Sequence, residues 1–321
     1  MWKMSRRRGV RLVVVAPVLA VLLGGFAARS AAEVPYPGLP DQEPEYPGGG
    51  WIGVAQTAMT HMVRAKQWVR IPTVPTAAWS QLSFSNYPPE HQWSSTNHFR
   101  NFVYFVSPPG SRHNYGDMEP VTVRTVAFGA IPVEAVVQIS QRRGPDGLPI
   151  GLTFTTDHDV DTGTPGVVVN FYHDSQIDDV LWVKVLAVKV DGKDLRLAGQ
   201  CRTVRPAKLS VLGDGGGDLS ETEMDLSKHY RVAVGGRLAG TVDVPAFSGC
   251  VTKSGDDVSR LVTATVSGPG NPIKLQVSAG ICTKKSPLGG LPPAPGESTP
   301  EAAGCEMDQL PAEFPYPKRG D

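Results

Sequence analysis

The chain has 321 residues with 31 basic and 31 acidic side chains, a formal net charge of zero, so it carries no positive excess for nucleic acid or an anionic lipid surface. Six of the basic residues (Lys3, Arg6, Arg7, Arg8, Arg11 and Arg29) lie in the first 32 positions, which hold no acid. The remainder has 25 basic against 31 acidic residues, a net −6, and this mildly acidic balance excludes nucleic acid as an expected partner.

Arg6, Arg7 and Arg8 precede an apolar run from Val13 to Ala28, and Ser30, Ala31 and Ala32 then supply small residues for cleavage. This pattern predicts a secretory signal peptide over 1–32, cut after Ala32. The run is about 16 residues and holds Pro17, Gly24 and Gly25, short of the ~20 a spanning helix needs, so no transmembrane segment is expected after cleavage. Ser5-Arg6-Arg7 begins like a twin-arginine signal, but Gly9 stands where a large apolar residue belongs, and the general secretory route suits the sequence better.

Residues 33–50 are rich in Pro and Gly and predict an extended linker. From Trp51 to Val69 the apolar residues Trp51, Val54, Ala55, Ala58, Met62, Ala65 and Val69 approach a 3.6-residue period and Pro72 ends it, predicting one helix. The segment 71–120 mixes aromatics with Pro88-Pro89 and Pro108-Pro109; with that helix it reads as an aromatic cap over 51–120 holding one strand, 102–106.

From Val121 the period is two. Val133, Ala135, Val137 and Ile139 alternate with polar residues, as do Val262, Ala264 and Val266, and Ile273, Leu275 and Val277. Turn signals stand at Pro145-Asp146-Gly147, Asp191-Gly192, Gly235-Gly236 and Gly268-Pro269-Gly270-Asn271. No βαβ alternation appears. The expected fold is mainly β, an antiparallel β-sandwich or open barrel with a small helix-containing N-terminal cap, its β domain over 121–282. Residues 283–321 predict a Pro-rich disordered tail. Its terminal Arg319-Gly320-Asp321 matches the integrin tripeptide, too short a match to carry function.

All four cysteines, Cys201, Cys250, Cys282 and Cys305, follow the signal and predict two disulfides. Three connectivities are possible. Cys250 with Cys282 is favoured because both flank one pair of predicted strands, leaving Cys201 for Cys305; the paired short spacing of a zinc site is missing.

Three stretches occur in order: Gly199-Gln200-Cys201-Arg202-Thr203, then Gly235 to Val242 running to Pro245-Ala246-Phe247-Ser248-Gly249-Cys250, then Thr263 to Asn271. Over residues 120–283 the chain resembles uncharacterised secreted proteins of actinobacteria, high-GC Gram-positive bacteria. The resemblance implies an extracytoplasmic β-rich domain and brings no activity, substrate or catalytic residue.

The candidate chemistry is sparse. Asp157, Asp159 and Asp161 could turn three carboxylates to one Ca²⁺ if the segment curled, but an EF-hand needs Gly and an acid where Thr162 and Val168 stand. His158-Asp159 and His173-Asp174 could meet across a hairpin as a metal or acid–base cluster. The Gly213–Asp218 loop lacks the Lys-Ser/Thr of a phosphate cradle. Neither G-x-S-x-G nor H-E-x-x-H occurs, and Asp178-Asp179 and Asp256-Asp257 read as solvated edge charges. Trp79, Trp93, Phe99 and Tyr104 could form a sugar-stacking platform. No catalytic residue, cofactor or metal is assigned. The expectation is a secreted binding or structural module at the bacterial cell envelope, its partner a cell-wall polymer or another envelope protein. The alternative is a secreted hydrolase, recognisable by His158, His173 and acids converging in one cleft.

Overall fold

A computed structural model describes residues 48–278, apart from 109, 114, 128 and 129, together with Phe314 and Pro315. The expected signal, most of the linker and nearly all of the tail lie outside the described residues, as do Cys282 and Cys305. In chain order the strands are β1 (Gly48–Met62), β2 (Gln67–Asn86), β3 (Ser95–Phe105), β4 (Val121–Ala127), β5 (Ile131–Gln141), β6 (Leu152–Asp161), β7 (Val169–Tyr172) and β8 (Ser175–Val190). There follow β9 (Lys193–Asp194), β10 (Arg202–Thr203), β11 (Ala207–Gly213), β12 (Tyr230–Arg231), β13 (Gly235–Val244), β14 (Phe247–Ser248), a helix α1 (Ser259–Val266) and β15 (Gly268–Val277).

The fold is mainly β, and its centre is a closed antiparallel ring of eight strands, β8-β11-β13-β15-β1-β2-β3-β6. Sequence alone leaves a sandwich and an open barrel as alternatives. The pairing of Phe154 with Ile177 and of Thr155 with Gln176 brings β6 back onto β8 and closes the ring. The long β8 leaves the ring at its C-terminal half, where it pairs with β5 from Val133↔Val190 to Gln141↔Leu181. β4 flanks β5.

Alternation decides what faces inward. Ile273 and Val277 of β15, Leu238 of β13, Leu209 and Val211 of β11, Leu152 and Phe154 of β6, and Val54 and Ala58 of β1 join one buried core. The intervening Lys274, Arg237, Lys208, Asp157 and Asp161 face outward on the same strands. A lipid-facing barrel wall carries the reverse pattern. No helix among the described residues is long and apolar enough to cross a membrane.

The predicted helix over 51–69 is instead β1 and the start of β2, joined by a turn with Lys66 at φ 52°. β1 is buried on both faces (Ala55, Thr57 and Met59 as well as Val54 and Ala58), so its sequence lacks clean alternation. Between Gln56 and Ala58 the register advances two residues on β1 and three on β2, from Val74 to Ile71, so the extra residue lies in β2. Pro72 falls within that shift, where a strand tolerates a missing N–H. The remainder of the expected cap contributes the rest of β2 and β3 to the barrel.

The segment Ser259–Val266, read as a strand, is α1. Its β-branched residues have weak helix propensity, and tertiary contacts override it. Asp257 accepts the Ser259 N–H, Ser259 Oγ accepts the Cys250 N–H, and Thr265 C=O accepts from Gln67 Nε2. Gly268 to Asn271 accordingly opens β15 rather than joining two strands. Asp191 and Gly192 do form the turn into β9, both with positive φ.

The disulfide joins Cys201 to Cys250, with Cα atoms 4.1 Å apart, in place of the favoured Cys250–Cys282 and Cys201–Cys305. β10 pairs with β14 through Arg202↔Ser248 and Thr203↔Phe247, so neighbours just outside these two short strands stand opposite one another. Spacing in sequence carries no trace of that pairing. The bond sits in a second core of Val185, Val188, Phe247 and Val262 beneath α1.

Candidate functional site: an apolar cavity and a polar ladder

Inside the barrel lies a cavity of about 310 Å³, at the lower end of the ~300–1,000 Å³ typical of small-molecule sites. Its wall is almost wholly apolar: Val54, Ala58, Met62, Val74, Val103 and Phe105 from β1 to β3, with Leu152, Leu209, Leu238 and Ile273 opposite. It continues to a border where Ile131, Val133, Val190 and Leu195 meet Leu261 and Val266 of α1, and Ile131 there is solvent-exposed. Gln67 ties this end together, since its Oε1 accepts from Thr125 Oγ1 and Val126 N–H while its Nε2 holds α1.

At the other end Tyr230 lines the cavity and packs edge-on to Phe154; burial pushes its phenol well above the ordinary range. A few polar side chains, Gln56, Thr57, Thr60, Thr76, Thr125 and Thr265, break the apolar wall. Thr60, facing the cavity, is 3 % exposed, and its hydroxyl has no hydrogen-bond partner. Asn101, paired in register with Phe154, is fully buried with neither amide atom satisfied. Each unmet group costs ~1–3 kcal/mol.

The outer face of β3 and β6 carries a ladder of polar pairs. Asp161 accepts from Ser94 Oγ at 3.0 Å. Asp159 accepts from Thr96 Oγ1 and pairs with His173 Nε2 at 2.7 Å. Burial works to raise the Asp159 carboxyl, but the bonds from Thr96 and His173 outweigh it and hold the group below its usual range. Asp157 pairs with His98 Nδ1 at 2.9 Å, and His98 Nε2 lies 2.8 Å from Ser85 Oγ. The three aspartates are thus spread along an extended strand, each with its own partners, and no group of three metal-ligating side chains occurs among the described residues. The calcium arrangement is not formed.

His158 and His173 do not converge. His158 points to the other side of β6, bonded to Asn97 (3.2 Å) and Asn170 (2.9 Å) and stacked on Tyr172 with ring centroids 4.1 Å apart. Burial is the chief cause that lowers its pKa, with the nearby Arg231 cation adding to it. Arg231 lies 3.7 Å from the Tyr172 centroid and gives its Nε–H to Gly215 C=O, so the glycine-rich loop is a structural clasp. The aromatic platform is not assembled either. Tyr104 is buried outside the barrel with Phe102 and Tyr115, five strand positions from Phe99, and so on the opposite face of β3, while Trp93 packs on Phe171. Asp178 bonds Gln176, Asp179 pairs with Arg142, and Asp256 and Asp257 hold a turn and α1.

Sequence reasoning missed the cavity, Thr60, Asn101, Ser85 and His98. Only the inward alternation of β5 and β15 hinted at the cavity, and nothing local marked the polar residues. Comparison with family models, with curated proteins and with solved structures finds no match.

Proposed function

We propose that the protein is an exported binding module of the bacterial cell envelope whose barrel holds an apolar chain in transit through water. The cavity carries this reading. At about 24 cal/mol per Å³, leaving 310 Å³ unfilled would forgo roughly 7 kcal/mol, a cost comparable to the whole ~5–15 kcal/mol stability of a domain. A packed core would have closed it. The charged exterior keeps such a carrier in water, and Cys201–Cys250 suits an oxidising compartment. At roughly 30 Å³ per water-sized group, the space takes an acyl or prenyl segment of about ten carbons. Thr60 would meet one polar group on that chain.

The test is titration of the delipidated protein with a fluorescent fatty acid, with competition by decanol and decane, beside an Ala58→Phe variant that fills the cavity. Micromolar binding that the variant loses while keeping its melting temperature supports the proposal. Absence of binding, or binding unchanged by Ala58→Phe, overturns it.

A further inference from the structure

The polar ladder on the outer face of β2, β3 and β6 contains one member unlike the others. In the Asp159 and Asp161 pairs a hydroxyl bonds the carboxylate directly. In the Asp157 group an imidazole stands between them: Ser85 Oγ to His98 Nε2 at 2.8 Å, and His98 Nδ1 to Asp157 Oδ1 at 2.9 Å. A carboxylate neighbour favours the tautomer with hydrogen on Nδ1, which leaves Nε2 free to accept the Ser85 O–H. Both separations fall within the range that defines an activated nucleophile, its base and the group orienting that base.

The arrangement is built by register. Ser83 pairs with His98 and His98 with Asp157, so three adjacent strands bring the residues together from positions 85, 98 and 157. His98 and Asp157 keep 30 % and 47 % of their side-chain surface exposed, so a reagent in solution can reach the group. It lies on the opposite side of the barrel wall from the cavity and does not depend on what the cavity holds.

The geometry points to Ser85 as a nucleophile that takes an acyl or phosphonyl group from an activated neutral donor, with His98 as base and Asp157 as its positioning residue. With an ester, Ser85 Oγ bonds the acyl carbon and its proton passes to His98 Nε2. The C–O bond to the alcohol breaks, and the alkoxide leaves with that proton. Water then releases the acid and restores the serine. Backbone N–H groups of a strand lie in the plane of the sheet, whereas Ser85 projects from its face, so the strands supply no oxyanion hole. That lack costs ~10²–10³ in rate, and the transfer is slow, with the acylated serine long-lived.

The experiment incubates the full chain with a fluorophosphonate and follows intact mass and peptide mapping. The P–F bond breaks, fluoride leaves with the serine proton, and Ser85 gains the phosphonyl group. One adduct at Ser85 is expected. Ser85→Ala should abolish it, and His98→Gln and Asp157→Asn should slow it at least tenfold with melting temperatures within 3 °C of the parent. A ladder with only a structural role would change the melting temperatures and give no adduct. No adduct at Ser85, or equal labelling in His98→Gln, overturns the proposal.

Discussion

Thr60→Val separates the cost of an unmet polar group from its use. Thr60 faces the barrel interior from β1, between Val69 of β2 and Ile273 of β15 in register, and its buried hydroxyl has no partner. Valine keeps the branched shape and replaces the hydroxyl by methyl. Removing an unsatisfied buried group worth ~1–3 kcal/mol should stabilise the ligand-free protein by about 1–2 kcal/mol. For a domain of this size that raises the melting temperature by about 2–6 °C. The same change should weaken binding of decanol by about fivefold or more, an ordinary hydrogen bond of ~1 kcal/mol, and leave decane unaffected. Calorimetry of delipidated protein and competition against the fluorescent fatty acid read both effects. A variant that loses stability by 1 kcal/mol or more would refute the argument, because the hydroxyl would then be satisfied by a buried water.

Other expectations follow from single features. Gly240 sits in β13 where an added Cβ would lie 2.0 Å from Ser210 C=O of β11, so Gly240→Ala should cost ~3 kcal/mol or more by forcing two barrel strands apart, seen as a lower urea midpoint. Cys201–Cys250 closes a separation of 49 residues, worth about 4 kcal/mol on the chain-entropy model; reduction should lower the melting temperature by about 10 °C. The lowered pKa of His158 makes the unfolded chain bind the extra proton below about pH 6.5, so its contribution is present above that pH and is lost as pH falls. Asp159, also lowered, contributes above about pH 4 and is lost as pH falls through its folded value. Melting curves should show the upper slope disappear in His158→Gln and the lower one shrink in Asp159→Asn.

Much of the β architecture was legible because its signal is local. Period-two alternation placed β5 and β15, and Asp191-Gly192 marked a hairpin, since side-chain direction and turn conformation depend on neighbours in sequence. The same logic misread β1, where burial on both faces produced an accidental helical period. It misread α1 as well, whose β-branched sequence favours a strand and whose helix exists only because Gln67, Cys250 and Asp257 hold it. The spacing of Asp157, Asp159 and Asp161 brings three carboxylates together only in a curled segment; the register with β3 keeps it extended and gives each carboxylate a partner.

What the sequence determined by itself was therefore charge balance, mostly extended structure and the inward set of apolar residues. Only the tertiary structure decided that eight strands close on themselves, because closure rests on two residue pairs between β6 and β8. It alone joined Cys201 to Cys250 and Ser85 to His98 and Asp157. Contacts between distant segments arise from strand register, and register is a property of the whole sheet.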